Sequence, residues 1–356
     1  MLKKPNENTQ QNFRRLFWVF CAVIAVAASV MYLRVTVNAP LGGDDCINNP
    51  SGYYDFMQRN TWALIMEDLK AGLDTLLLRR GRFFGLPVIP YALICWARQD
   101  IYTYRMYIIG VTCLVIILLA WLMRRIMEDS GAATAYLALV PLMFCLWGDY
   151  QINGLYSYNA FPQSTLLVGA LAGHCTVSWA KTRRWPWALA AACTTLWSCA
   201  AYELGYTYIF MIAFFALSLH DKFRDTVVTM IPAAIGEATA LAGYLATNAL
   251  NRGNRYVGVQ LAEVGADNRF WETWVQQMSG GFPLNQPLIS GVKVEQYTRG
   301  DWLWAFVLAL LVGIALYCVR IHFSRKKLIC LFFAGLMVLV LPAALIGAST
   351  KYQHCG

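Results

Sequence analysis

Apolar residues fall in long unbroken runs along this chain, and short polar or basic clusters separate the runs. The first extends from about Leu16 to Leu33; others cover about 106–123, 132–148, 163–180, 185–201, 204–220, 226–246, 302–319 and 328–349. Each is near the roughly 20 residues that cross a hydrocarbon core of about 30 Å. The pattern predicts an all-α fold, a polytopic transmembrane helix bundle. One further run, RFFGLPVIPYALICWA at 82–97, is short and holds two prolines and a glycine. It reads as an interfacial or re-entrant stretch, where broken backbone is tolerated if protein or headgroups satisfy it.

Charge decides how the runs thread. If 82–97 does not span, four short loops fall on the side of the basic N-terminus (Lys3, Lys4, Arg14, Arg15). They carry Arg124, Arg125, Lys181, Arg183, Arg184, Lys222, Arg224, Arg320, Arg325, Lys326 and Lys327. Positive residues in short loops mark the cytoplasmic side. If 82–97 spans, all four loops break that rule. The expectation is therefore about nine spans, N-terminus in and C-terminus out. A cytoplasmic tail covers 1–15 and the transmembrane domain 16–349, with extracytoplasmic segments at 34–105 and 247–301 and an outer tail at 350–356. The first run is too long for a signal-peptide core and reads as an uncleaved anchor.

Composition agrees: 58% of the 356 residues are hydrophobic and 14% charged, against about 25% charged in soluble domains. The net charge of +9 follows from the basic loops, and no nucleic-acid-binding motif accompanies it. Most of the 11 cysteines sit inside apolar runs, where Cys packs as a small hydrophobe. Cys46, directly after an acidic pair, is the exception.

Candidate chemistry lies in the outer segments. LGGDDCINNP (41–50) places Asp44 and Asp45 just beyond the first run. A carboxylate there can act as general base or hold a divalent cation; the plain alternative is a turn capped by Asp. Residues 53–78 show apolar positions at helical spacing with Glu67, Asp68, Lys70 and Asp74 on the other face, as in an amphipathic helix lying at the interface. RRGRFFG follows, with Arg79, Arg80 and Arg82 around Gly81. Guanidinium groups bind phosphate oxygens bidentately, although they also suit anionic headgroups. In the second outer segment Arg252 and Arg255 offer further phosphate contacts, and Phe270, Trp271 and Trp274 before Gly280-Gly281 predict another interfacial helix and a turn. Tyr202 and Glu203 occupy a tight hairpin at the outer mouth. Glu237 falls mid-span, where a carboxylate is costly; it reads as a protonated, hydrogen-bonded acid. His174 reads as a polar packing contact.

Asp44-Asp45 at the start of a long first outer segment, the helix at 53–78 and GRFFG at 81–85 resemble the GT-C superfamily of membrane glycosyltransferases. GRFFG is similar to a Gly-Arg-aromatic stretch of bacterial members of uncertain donor, and YELG (202–205) and STKYQ (349–353) look like segments of such proteins. The resemblance covers the outline of the whole chain through short motifs. It implies transfer of a sugar from a polyprenyl-phosphate donor to a cell-surface glycan, lipid or protein, in a bacterial cytoplasmic membrane. The loop Asp acts as catalytic base toward the acceptor, here Asp44 or Asp45. Arg79, Arg80 and Arg82, with Lys351, would hold the donor phosphate, and Tyr202, Glu203 and Arg255 would complete the pocket. Some members use a divalent cation and others do not, so a metal at Asp44 or Asp45 stays open. The partners implied are the lipid-linked sugar and membrane lipids, not nucleic acid. Many members carry more spans and a soluble domain; the stop at Gly356, directly after KYQHCG, reads as a fragment or truncated product. The rival readings are a transporter or flippase, with Glu237, His174 and Glu203 lining a pathway, and a polymerase of lipid-linked glycans.

Overall fold

The computed structural model describes residues 101–129, 131–133, 136–137, 161–250, 269–280 and 324–348, with positions 70 and 307 standing alone. Among the described residues all regular structure is helical and no strand occurs. In chain order the helices are α1 (Ile101–Met127), α2 (Phe161–Thr182), α3 (Trp185–Ala201), α4 (Tyr208–Leu219), α5 (Phe223–Leu250), α6 (Phe270–Gly280) and α7 (Arg325–Gly347). The runs expected at 16–33 and 82–97, all of 302–319 but position 307, and most of 132–148 lie outside the described residues.

Among the described residues two stretches are long and apolar enough to cross a membrane, Met106–Met127 and Phe223–Thr247. Their outward faces are as apolar as their inward ones: Leu114, Ile117, Trp121, Ile231, Ile235 and Leu245 are exposed. A helix that is hydrophobic all round suits lipid rather than water. The run at 185–201 coincides with α3; α1, α2 and α5 overrun their expected ends by a few residues, and α7 is shifted by two or three residues toward the N-terminus.

The run at 204–220 is not one α-helix. Residues Glu203–Thr207 form a 3-10 turn, and only Tyr208–Leu219 is α-helical. The cause is a close backbone approach. A Cβ on Gly205 would stand 2.2 Å from the Ser198 carbonyl oxygen, so the turn lies directly on the last turn of α3. At ~2.0 Å per residue for the turn and ~1.5 Å for the helix, the two pieces still reach about 28 Å.

α4 is the hub. Its buried residues Tyr208, Met211, Ile212, Phe215 and Ala216 recur at helical spacing and pack with Leu122 and Ile126 of α1, Ala172 and Val177 of α2, Ala233 of α5 and Ala334 of α7. α2 makes room with glycines one turn apart. A Cβ on Gly169 would meet the Tyr208 ring at 2.6 Å, and one on Gly173 would meet Leu122 Cδ2 at 2.9 Å. This is the small-xxx-small device of membrane helices, where close contact replaces the missing hydrophobic drive. α3 and α5 do the same at Gly236, whose Cβ would stand 2.2 Å from the Ala192 carbonyl oxygen.

Helix directions follow from the contacts. On α1 and α2, Leu118 meets His174 and Arg125 meets Ser178, while Lys181 reaches the Arg125 carbonyl. The two helices are therefore parallel. α3 and α4 are joined by the turn at 202–207 and run oppositely. α7 starts beside the end of α4, where Lys326 holds the His220 carbonyl.

Pro232 inside α5 has no N–H to give the Val228 carbonyl four residues earlier. The Trp179 indole N–H of α2 donates to that carbonyl instead, at 3.4 Å. A backbone acceptor freed by proline is thus satisfied from a neighbouring helix, as an apolar medium requires.

Candidate functional site

The bundle has two chemically different ends. At the first, α1 and α2 both stop in left-handed residues, Glu128 at φ 59° and Arg183 at φ 53°. Each N–H closes the end of its own helix, Glu128 onto the Arg124 carbonyl and Arg183 onto the Trp179 carbonyl, both at 2.9 Å. Glycine normally fills such positions. Here the side chains have contacts of their own. Glu128 accepts a hydrogen bond from Lys181 at 2.9 Å and pairs with Lys327 at 3.5 Å, joining three helices. The hydrogen bond from Lys181, then the charges of Lys181 and Lys327, hold its carboxyl below the usual range. Lys326 donates to Asp221 at 2.8 Å. The loops after α1, α2 and α4 and the start of α7 therefore gather at one basic end.

At the opposite end stands the turn YELG. Tyr202 is extended and half-buried, its N–H directed at the Ser198 carbonyl, and the Gly205 N–H donates to the Tyr202 carbonyl at 2.8 Å. Ser198 ties α3 to the start of α2 through the Thr165 carbonyl at 3.2 Å. Glu203 opens the 3-10 turn. α6 is the helix expected around Phe270, Trp271 and Trp274. Trp274 donates to the Val340 carbonyl of α7 at 3.4 Å, about 22 Å up from Arg325 at ~1.5 Å per residue. It thus packs toward the far end.

Between the ends lies a polar knot. Arg125 turns inward and donates from Nη1 to His174 Nδ1 at 3.2 Å and to the His174 carbonyl at 3.0 Å, and from Nη2 to Ser178 Oγ at 2.9 Å. The other imidazole nitrogen, Nε2, lies 2.9 Å from the Leu118 carbonyl. A carbonyl only accepts, so Nε2 carries the proton and Nδ1 is the acceptor. The ring packs against Trp121, centroids 4.4 Å apart and planes tilted by 38°. Both nitrogens are engaged, which makes His174 the packing contact expected of it and leaves no lone pair for catalysis. The sequence counted Arg125 only as a loop cation; its place three residues after Leu122 and seven after Leu118, on one helix face, was the available signal.

Glu237 is half-buried midway along α5, within electrostatic reach of Cys199 on α3. It has no hydrogen-bond partner among the described residues, so the hydrogen-bonded acid expected there is not what these contacts show. Among the described residues no group of three or more His, Cys, Asp or Glu side chains is placed to hold a metal.

No family model, curated protein or solved structure matches the chain.

Asp44, Asp45, Arg79, Arg80, Arg82, Arg255 and Lys351 lie outside the described residues. Of the expected site residues, Tyr202 and the backbone of Glu203 fall within them, together at the end away from the basic loops.

Proposed function

We propose that the chain is a membrane glycosyltransferase of the GT-C type, with about nine spans, that moves a sugar from a polyprenyl-phosphate donor on the outer face of the membrane. Asp44 or Asp45 takes the proton of the acceptor hydroxyl. Arg79, Arg80 and Arg82 meet the charge left on the departing lipid phosphate, where fixed cations count most. The phosphate leaves with its lipid, so the reaction needs no soluble nucleotide.

The observation that carries the reading is the gathering of the basic loops. Lys181, Lys326 and Lys327 come from loops that the nine-span threading puts on one side; Lys181 and Lys327 share Glu128, and Lys326 takes Asp221, at one end of the bundle. Helix directions add support. α1 and α2 are parallel, so the chain between them has to return across the bundle, as a span at 132–148 would make it do. α5 leaves the basic end and α7 begins there, which calls for another return between them, as a span at 302–319 would make. YELG and α6 stand at the far end, the side on which the threading puts the acidic pair and the arginines. His174 is engaged at both ring nitrogens by α1, and among the described residues no hydrogen bond joins it to Glu237 on α5, which speaks against the convergent pathway a transporter would need.

The test is transfer in membranes containing the full chain, with a radiolabelled polyprenyl-phosphate hexose and endogenous acceptors. The Asp44→Asn/Asp45→Asn variant should insert at wild-type levels, keep its protease-protection pattern and lose transfer by about 100-fold or more, the scale of a general base. Retained transfer removes the mechanism. Protease or tagging data that put residues 44 and 82 on the cytosolic face remove the topology.

A further inference from the structure

The basic end is not uniform. Along one seam its charges are paired off: Glu128 takes Lys181 and Lys327, and Asp221 takes Lys326. Arg124 and Arg325 stand singly beside that seam. The other corner is made by the α2–α3 turn and the start of α5. It exposes Arg183, Arg184, Lys222 and Arg224, and none has an ion pair among the described residues. The acids beside them are Asp225, in the first turn of α5, and Asp221, already paired with Lys326.

The two parts of this corner are held together. Trp179 bonds the Val228 carbonyl, and Arg183 lies close enough to His220 to act on it electrostatically. Burial first, then Arg183 and Lys326, push the His220 imidazole below its ordinary value, against the upward pull of Asp225 and Asp221. Arg183 is also ordered without a counter-ion: its guanidinium lies 5.2 Å from the Trp179 ring centroid, and its backbone is fixed in the left-handed conformation. Around these cations the apolar helices emerge with Trp185 72% and Phe223 75% exposed. Below them Leu189 of α3 and Val227 and Ile231 of α5 are exposed as well.

We propose that this corner binds an anionic phospholipid of the adjoining leaflet, with Arg183, Arg184, Lys222 and Arg224 on the headgroup phosphate and the acyl chains along the exposed faces of α3 and α5. The inference rests on the chain standing in a membrane and not on its being a glycosyltransferase. A cation cluster at the level where apolar helices end, with aromatic side chains beside it, matches a headgroup over hydrocarbon. A soluble anion would use the cations and leave the aromatic and aliphatic faces without a role, so the lipid is the occupant that accounts for both.

The experiment reconstitutes the full chain in phosphatidylcholine nanodiscs with increasing phosphatidylglycerol. It counts the lipids retained through gentle release by native mass spectrometry. Wild type should retain phosphatidylglycerol in preference to phosphatidylcholine. Neutralising R183Q/R184Q/K222Q/R224Q should lower that preference by about tenfold or more, given about fivefold per surface cation at low salt and incomplete reach to one headgroup. R183K/R184K/R224K should keep it, which separates charge from folding. R124Q/R325Q, on the seam side, should change it by less than about fivefold. The proposal is overturned if the quadruple variant keeps the wild-type preference, or if the seam variant loses as much. It is equally overturned if millimolar inorganic phosphate displaces the lipid.

Discussion

Removing the Arg125 guanidinium tests how much of the bundle is held by polar contacts rather than by close packing. Arg125→Met keeps most of the side-chain volume and deletes three hydrogen bonds, two of them to His174 and one to Ser178. Interhelical hydrogen bonds in membranes average about 0.6 kcal/mol each, or about 2 kcal/mol for the three. His174 is buried, at 6% exposure, and its Nδ1 would lose its donor, so part of the ~1–3 kcal/mol cost of an unsatisfied buried acceptor is added. The expected loss is about 2–3 kcal/mol. His174→Leu deletes the bond that Nδ1 accepts from Arg125 and the bond that Nε2–H donates to the Leu118 carbonyl, and should cost about 1–2 kcal/mol by the same scale. Because the Arg125–His174 contact is shared, the double variant should cost less than the sum, with a coupling of about 1 kcal/mol. His174→Gln, which can donate to Leu118 and accept from Arg125, should recover part of the loss. The assay is equilibrium unfolding of the purified chain in mixed micelles by SDS titration, followed by far-UV circular dichroism. Additive single costs, or a His174→Leu variant as stable as wild type, would refute the tautomer and the knot together.

Other consequences can be checked in the same assay. Gly205→Ala forces a Cβ to within 2.2 Å of the Ser198 carbonyl oxygen, backbone against backbone; it should cost about 2–3 kcal/mol, at the upper end for overpacking, and Gly236→Ala should cost a similar amount by prising α5 from α3. Trp179→Phe keeps the ring but leaves the Val228 carbonyl without the donor that Pro232 cannot supply, a loss of about 1 kcal/mol, and the double variant with Pro232→Ala should restore most of it. Glu128→Gly gives up exposed ion pairs worth about 0.2–1 kcal/mol and relieves a left-handed backbone that costs about 1 kcal/mol, so it should be no less stable than Glu128→Gln, which loses the charge and keeps the strain. The Glu128 carboxyl is held low in the folded chain, so its pairs contribute above the ordinary carboxylate value of about 4.3. That contribution fades as pH falls through the lower folded value, and the fading should be absent in Glu128→Gln.

Helix positions were legible because long apolar runs leave little choice: 185–201 is α3 residue for residue. The break at 203–207 was not, because Gly205 reads in sequence only as a possible turn residue. Its necessity comes from the Ser198 carbonyl, brought under it by the hairpin itself. Gly169 and Gly173 stand one helical turn apart in the sequence, but only the structure says that Tyr208 and Leu122 fill the space. Arg125 was misjudged in a more instructive way. One turn from a loop, a cation is read as a topological marker, yet a long side chain can turn back along its helix. His174, some eight residues inside α2, gave it a reason to do so. The expected catalytic residues of 44–45 and 79–82 lie outside the described residues, so the site was read from sequence and only its surroundings from structure.

The direction of the helices then bears on the span the sequence found hardest to place. α1 ends among the basic loops, so it begins at the far end. A chain whose basic N-terminus lies on the loop side and which crosses once, at 16–33, arrives at that far end in time to enter α1. A second crossing at 82–97 would return it to the basic side and force α1 to begin there, against the contacts of Arg125 and Glu128 with Lys181. To keep both crossings, the N-terminal cluster of Lys3, Lys4, Arg14 and Arg15 would have to lie on the side opposite every other basic loop. Under the proposed nine-span threading, the parity of α1 and the placing of the N-terminal cluster with the other basic loops go together with a stretch at 82–97 that does not cross. That is also the arrangement in which the arginines at 79–82 and the acidic pair at 44–45 can share one face of the membrane.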